Sequence, residues 1–239
     1  MKVDKAIKAT FNTNLIILNG FLVALLVGTI LLMLPVSSAS GNGTDFITAL
    51  FTATTSLCVT GLVVVPTYAY WSIFGKVIIL ILIQLGGLGI ISFTIGFLII
   101  IGKKISLKER KMIQESYNLD SAQGVLKILR KIFGITVKIE GIGAILYSIQ
   151  FIPEYGIVKG ICYSVFHSVS AFCNAGIDII GNDSLVKYHG NVLVNFTTVM
   201  LIICGGIGFI VWLDIGGIIS EIRNKKLSPN KFIERMKLH

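Results

Sequence analysis

The stretch Phe51–Leu62, FTATTSLCVTGL, lies over Phe166–Ile177, FHSVSAFCNAGI, at a constant offset of 115 residues. Phe, Cys and Gly coincide, and Leu50 meets Val165. Downstream of the first copy, Gly86-Gly87-Leu88-Gly89-Ile90 is echoed by Gly205-Gly206-Ile207-Gly208-Phe209 downstream of the second. Upstream, Pro35 and Pro153 are each expected to close an apolar run. An internal repeat outranks any single motif, because it defines the unit that is folded twice. The expected halves are 1–121 and 122–239. Each reads as apolar run, short apolar segment, Gly-bearing turn, apolar run.

Composition fixes the medium. Of 239 residues, 54% are apolar and 14% are charged, against about 25% charged in a soluble domain. The mean hydropathy is +0.85. This excludes a soluble enzyme, a disordered tail and a secreted disulfide scaffold, and favours an all-α polytopic membrane protein. Cys58, Cys162, Cys173 and Cys204 form no CxxC pair, so neither a disulfide framework nor a zinc site is indicated. His167, His189 and His239 are scattered.

Four stretches suit a hydrocarbon core about 30 Å thick. Leu15–Leu34 is interrupted only by Asn19 and Thr29, and is too long for the core of a signal peptide. Val77–Ile101 carries no charge, Ile132–Ile152 contains Lys138 and Glu140, and Val192–Ile219 has Asp214 near its end. The basic residues orient these spans. Eighteen of the 21 lie in the N-terminal segment, the segment from Lys103 to Lys138, and the tail from Arg223. Only Lys76, Lys159 and Lys187 lie in the other connections. The positive-inside rule therefore places both termini and the middle loop in the cytoplasm. The net charge of +9 is then topology, with no need of nucleic acid.

Phe46–Leu57 and Ile161–Cys173 are apolar but too short to span a bilayer. They fit surface or interfacial helices, or re-entrant pore helices whose ends are satisfied by protein or water. The shared turn pattern favours the second, since surface loops have little reason to repeat one. A dehydrated cation needs oxygens at fixed spacing. Backbone carbonyls supply them where an extended segment follows a short helix and a Gly opens otherwise closed dihedrals. Val59-Thr60-Gly61 and Asn174-Ala175-Gly176 meet that requirement. The competing reading makes each Gly an ordinary helix C-cap.

The sequence resembles the Trk/Ktr/HKT superfamily of potassium transporters. The resemblance is carried by Thr55–Leu62 (TSLCVTGL), Phe166–Ile177 and Gln84–Gly89 (QLGGLG), and extends over the whole chain. It is closest to the N-terminal half of the KtrB-type membrane subunit. It implies M1–pore helix–M2 units with one filter glycine each, here Gly61 and Gly176. The carbonyls of Val59, Thr60, Asn174 and Ala175 would then face K⁺. It also implies K⁺ uptake across the plasma membrane of a bacterium, with Na⁺ as a coupling or activating ion. It implies no enzyme activity, no bound cofactor, and a cytoplasmic nucleotide-binding regulatory subunit of the KtrA type. The family has four units where this sequence carries two, and Ser228-Pro229 resembles the linker into a third. A second copy or a C-terminal half is expected to complete the pore, and two turns alone are not expected to conduct. The alternatives are a non-conducting fragment or assembly partner, and a transporter of another small ion or solute. A binding-site Arg within a span would favour the latter, and there is none.

Other residues read more plainly. Gly86, Gly87 and Gly89 suit close helix packing or a bend rather than a nucleotide loop. Glu140 is expected to hold a structural hydrogen bond, with a role in ion coupling as the alternative, and Lys138 is wrongly spaced to be its partner. Asp214 suits an interfacial anchor. Asp45, Asp178 and Asp183 suit helix caps, loop residues or a cation-concentrating field. His167 suits packing, and Cys58 and Cys173 suit small residues behind the turns. The basic loop and tail face a regulatory subunit or anionic lipid.

Overall fold

The computed structural model describes residues 2–89, 125–181, 183–209, 211, 212, 215 and 216. These residues are helical, with no strand among them beyond one isolated bridge between Ser38 and Trp71. Helix α1 is Lys2–Met33, α2 is Phe46–Leu57, α3 is Thr67–Tyr70 and α4 is Ile73–Leu88. Then come α5, Val125–Tyr155, α6, Ile157–Phe172, and α7, Val192–Gly206. Single 3₁₀ turns occupy Pro35–Ser37 and Val186–Tyr188. A long helix followed by two shorter ones thus occurs twice, with 32, 12 and 16 residues in α1, α2 and α4 and 31, 16 and 15 in α5, α6 and α7.

Within the first set, α1 packs on α2 and α4; within the second, α5 packs on α6 and α7. The two sets meet where α4 lies against α6. One continuous core joins them, with Ala53, Leu57, Ile79 and Ile83 on one side and Tyr147, Phe151, Phe166 and Phe172 on the other. The outer faces stay apolar and exposed: Leu22, Leu26 and Ile30 on α1, Ile142, Ile145 and Ile149 on α5, Phe196 and Val199 on α7. Such faces suit hydrocarbon rather than water. Among the described residues, Lys127–Tyr155 is long and apolar enough to cross a membrane. The apolar stretches of the other helices, such as Leu18–Met33 within α1 and Ile73–Leu88, are shorter.

The helix limits depart from the sequence reading in informative ways. Pro153 does not close its run: it lies inside α5, and the stop is Gly156, whose φ of 80° breaks the helix. A proline near the last turn removes one amide, whereas a left-handed residue redirects the chain. Helix α6 starts at Ile157, four residues before the expected segment, because Lys159 and Gly160 interrupt the apolar pattern without interrupting the helix. Helix α1 runs far upstream of Leu15. Helix α4 ends at Leu88, inside the expected 77–101 span, where Gly89 has a φ of 78°. Residues 90–101, the basic stretch from Lys103 to Lys111, Asp214 and the tail with Ser228-Pro229 lie outside the described residues.

Candidate functional site: two glycine turns

Each short helix ends by one hydrogen-bond scheme. In α2, Cys58 N–H donates to Thr54 O (2.8 Å), Val59 to Ser56 O (3.3 Å) and Thr60 to Thr55 O (3.0 Å). In α6, Cys173 donates to Val169 O (2.9 Å), Asn174 to Ala171 O (3.1 Å) and Ala175 to Ser170 O (2.8 Å). The last two bonds of each set are the reciprocal pair of a Schellman cap. The left-handed residue of that cap is Val59 (φ 50°) or Asn174 (φ 60°), not a glycine. Gly61 (φ 74°) and Gly176 (φ 66°) come two residues later, after the cap is complete. The ordinary C-cap reading of these glycines therefore fails.

The two turns lie together. A Cβ built on Gly61 would stand 2.6 Å from the Ala175 carbonyl oxygen and 3.6 Å from Gly176 Cα. One built on Gly176 finds nothing nearer than Gly61 Cα, at 3.9 Å. All six residues singled out by sequence, Val59, Thr60, Gly61, Asn174, Ala175 and Gly176, thus fall on two adjoining loops. Thr60 and Asn174 are exposed, and Ala175 is buried.

Glycines on the following helices set the turns in place. A Cβ on Gly86 of α4 would fall on the Leu57 carbonyl oxygen, and one on Gly205 of α7 would fall on that of Phe172. Each helix backbone thus rests directly on the last carbonyl of the short helix beside it. Gly87 admits Cys173 in the same manner across the two sets. That contact is reinforced by Gln84, whose Nε2 donates to Glu140 Oε1 at 3.0 Å and whose Oε1 accepts from Cys173 Sγ at 3.5 Å. The Ser168 hydroxyl donates to the Glu140 carbonyl at 2.6 Å. Glu140 therefore has the hydrogen bond its sequence position called for.

The remaining singled-out residues divide. Asp45 caps α2, and Asp178 accepts from Ser184 Oγ (2.6 Å) and Ile180 N–H (3.3 Å). Cys173 is buried but Cys58 is exposed, so only one of the two sits behind a turn. His167 is buried beside Tyr147 and Phe151, and its Nδ1 donates to Tyr163 O at 2.7 Å. It borders a cavity of about 160 Å³ behind the second turn, with Ser170, Asn174, Gly176 and Asp178. No group of three potential metal ligands occurs among the described residues. The sequence reading passed over Thr55 and Ser170, whose side chains reach the residue after each glycine. The available signal was two hydroxyls at the same offset of 115.

Comparison with known proteins supplies the family. The chain matches TrkH, described as a cation transport protein, over residues 2–238. It is 44% identical over 226 residues to the potassium/sodium uptake protein NtpJ of Enterococcus hirae, covering 95% of this chain and 49% of that protein. It is 40% identical over 216 residues to the Ktr system potassium uptake protein B of Bacillus subtilis, covering 90% and 48%. For the protein of the same description from Vibrio alginolyticus, identity is 38% over 201 residues, covering 84% and 43%. The chain spans about half the length of the curated relatives it matches. These relatives are membrane transporters rather than enzymes. The chain belongs to the TrkH family of cation transport proteins.

Proposed function

We propose that this chain contributes two M1–pore helix–M2 units, 1–121 and 122–239, to a four-unit pore for K⁺ uptake. In each unit the short helix, α2 or α6, serves as the pore helix. The turn that follows it offers backbone carbonyls to the ion. The observation that carries this reading is the pair of adjoining turns in which left-handed residues stand at alternate positions, 59 and 61, then 174 and 176. Alternating backbone hand turns successive carbonyls toward one side of the chain. Oxygens arranged so can replace the hydration shell of K⁺. The ligands are the carbonyls of Val59, Thr60, Gly61, Asn174, Ala175 and Gly176. Two turns cover half of the ion, so a second copy or a further segment supplies the rest. An open side would leave polar backbone against lipid, at several kcal/mol per group, as an order of magnitude.

Both termini and the basic middle loop face the cytoplasm, where a KtrA-like nucleotide-binding subunit docks. Na⁺ acts as a coupling or activating ion, in keeping with the potassium/sodium description of NtpJ.

The test replaces Gly61 and Gly176 singly by Ser in the complete assembly, and compares Rb⁺ with Na⁺ uptake in cells lacking other K⁺ systems. Both variants are expected to lose Rb⁺ preference. The loss is larger at Gly61, where the new Cβ meets the Ala175 oxygen, than at Gly176, which has room. Unchanged preference in both variants refutes the carbonyl filter.

A further inference from the structure

Apart from Ser168, which bonds the Glu140 carbonyl on α5, two behaviours recur among the hydroxyls of α2 and α6. Thr52, Thr54 and Ser56 bond the carbonyl four residues back, at 2.7–2.8 Å, and Ser164 does the same at 2.7 Å. That is the ordinary local bond of a helical hydroxyl. Thr55 and Ser170 reach forward instead, beyond the cap, to the residue after each glycine. Thr55 Oγ1 accepts from Leu62 N–H at 3.0 Å and shares a 2.7 Å bond with Thr60 Oγ1. Ser170 Oγ donates to the Ile177 carbonyl at 2.6 Å. Both side chains are buried, at 3% exposure each.

The sense of the bond differs, and so does the peptide it holds. Leu62 N–H belongs to the same planar peptide as the Gly61 carbonyl. No described peptide is cis, so that carbonyl points opposite to the N–H. Ser170 holds the Ile177 carbonyl, which belongs to the next peptide along. The Gly176 carbonyl has no such restraint from Ser170.

We propose that Thr55 is a positioning residue for ion selection: by holding Leu62 N–H it fixes the plane of the Gly61–Leu62 peptide and turns the Gly61 carbonyl away from α2 toward the ion. This rests on the carbonyl-filter reading above. Ser170 restrains the second turn one peptide too late to do the same for Gly176. Selectivity is therefore more sensitive to the hydroxyl of the first unit than to that of the second.

The experiment compares Thr55→Val, Thr55→Ser and Ser170→Ala in the complete assembly, in cells lacking other K⁺ systems. It reads the ratio of Na⁺ to Rb⁺ concentrations that half-inhibit tracer Rb⁺ uptake, together with the amount of protein in the membrane. Thr55→Val, similar in shape but without the hydroxyl, is expected to lower the ratio by roughly five- to tenfold, as loss of one hydrogen bond allows. Thr55→Ser should restore it to within about twofold, and Ser170→Ala should change it less than Thr55→Val. An amide-to-ester replacement at Leu62 deletes the N–H and keeps every side chain. It must lower the ratio by the same roughly five- to tenfold, and it carries the test where Thr55→Val fails to accumulate. Reduced abundance with an unchanged ratio, or an equal shift from Ser170→Ala, overturns the proposal. Gly61→Ser run in parallel separates the two ideas. If it shifts the ratio and neither the valine nor the ester variant does, the brace is wrong and the filter stands. If it and Gly176→Ser both leave the ratio unchanged, the filter reading fails and the brace falls with it.

Discussion

The turns after α2 and α6 share a hydrogen-bond scheme and differ in chemistry. At the left-handed cap position the first has Val59 and the second Asn174. A β-branched residue is a genuine outlier there, whereas Asn is at home. The Asn174 amide also donates to the Phe172 and Ile202 carbonyls, each at 3.5 Å, tying its turn to α7. Val59 has no polar side chain with which to do so. Its turn is held through Thr55 and Thr60 instead. The same backbone path is thus reached by two routes: a residue that prefers the path, and a residue forced onto it by a hydroxyl brace. Where strain is kept, the surroundings must over-determine the conformation.

The largest effect should come from the glycines beneath the turns. Gly86→Ala places a methyl on the Leu57 carbonyl oxygen, and Gly205→Ala places one on that of Phe172, closer still. Neither neighbour is a flexible side chain, so a helix must shift. Overpacking costs about 1–3 kcal/mol and sometimes more, and these contacts belong at the upper end. Thermal unfolding of the detergent-solubilised protein should show both variants strongly destabilised, Gly205→Ala the more so. Gly141→Ala has open space within 4 Å and should melt with the parent. If Gly205→Ala melts with Gly141→Ala, the close approach of α7 to α6 is wrong.

Much of this was legible beforehand. The helical class follows from composition, and the repeat located both turns to the residue. The hydrogen bond of Glu140 follows from the cost of an unpaired carboxylate, and a helix cap was one of the roles open to Asp45. What pattern cannot carry is the orientation of single peptide planes. A cap reading of the glycines competed with the filter reading because a Gly after a helix usually is a cap; that Val59 and Asn174 occupy the left-handed cap depends on where the helix stops, and apolar spacing does not mark that residue. Pro153 misled for a related reason. Its missing amide is cheap near a helix end, and the chain reversal was written in Gly156. Thr55 and Ser170 were hidden because mid-helix hydroxyls usually bond backward.

The contrast at the cap position gives opposite signs. Asn174→Val puts a β-branched residue at φ 60° and removes two long amide bonds, and should cost about 1–2 kcal/mol. Val59→Asn should relieve strain and stabilise by about 1 kcal/mol, since Asn tolerates the left-handed region. Melting temperatures should therefore fall at 174 and rise at 59. A loss at both positions would mean that Val59 is favoured by contacts that outweigh its backbone strain, and the two routes would collapse into one.

The smallest effect lies at the opposite ends of the same two helices. Asp45 Oδ2 accepts from Thr48 N–H at 2.9 Å, capping α2, whereas α6 begins after Gly156 with no side-chain cap. The Thr48 amide holds the Asp45 carboxyl below the usual aspartate range. The folded state then binds a proton less readily than the unfolded one. The contribution is full above the unfolded pKa and is lost as pH falls through the lower, folded value. Asn caps about as well as Asp but does not titrate, and lacks the charge that favours a helix N-terminus. The parent should melt slightly above Asp45→Asn at neutral pH, with a gap that shrinks as pH falls through the ordinary aspartate range and closes below the lower, folded value. The start of α6 offers no such titration, so Asp45→Asn should remove this part of the acid sensitivity without leaving a counterpart from the second turn. A gap that persists unchanged at the acid end would show that the Asp45 cap does not depend on charge, and that the starts of α2 and α6 differ less than their geometry says.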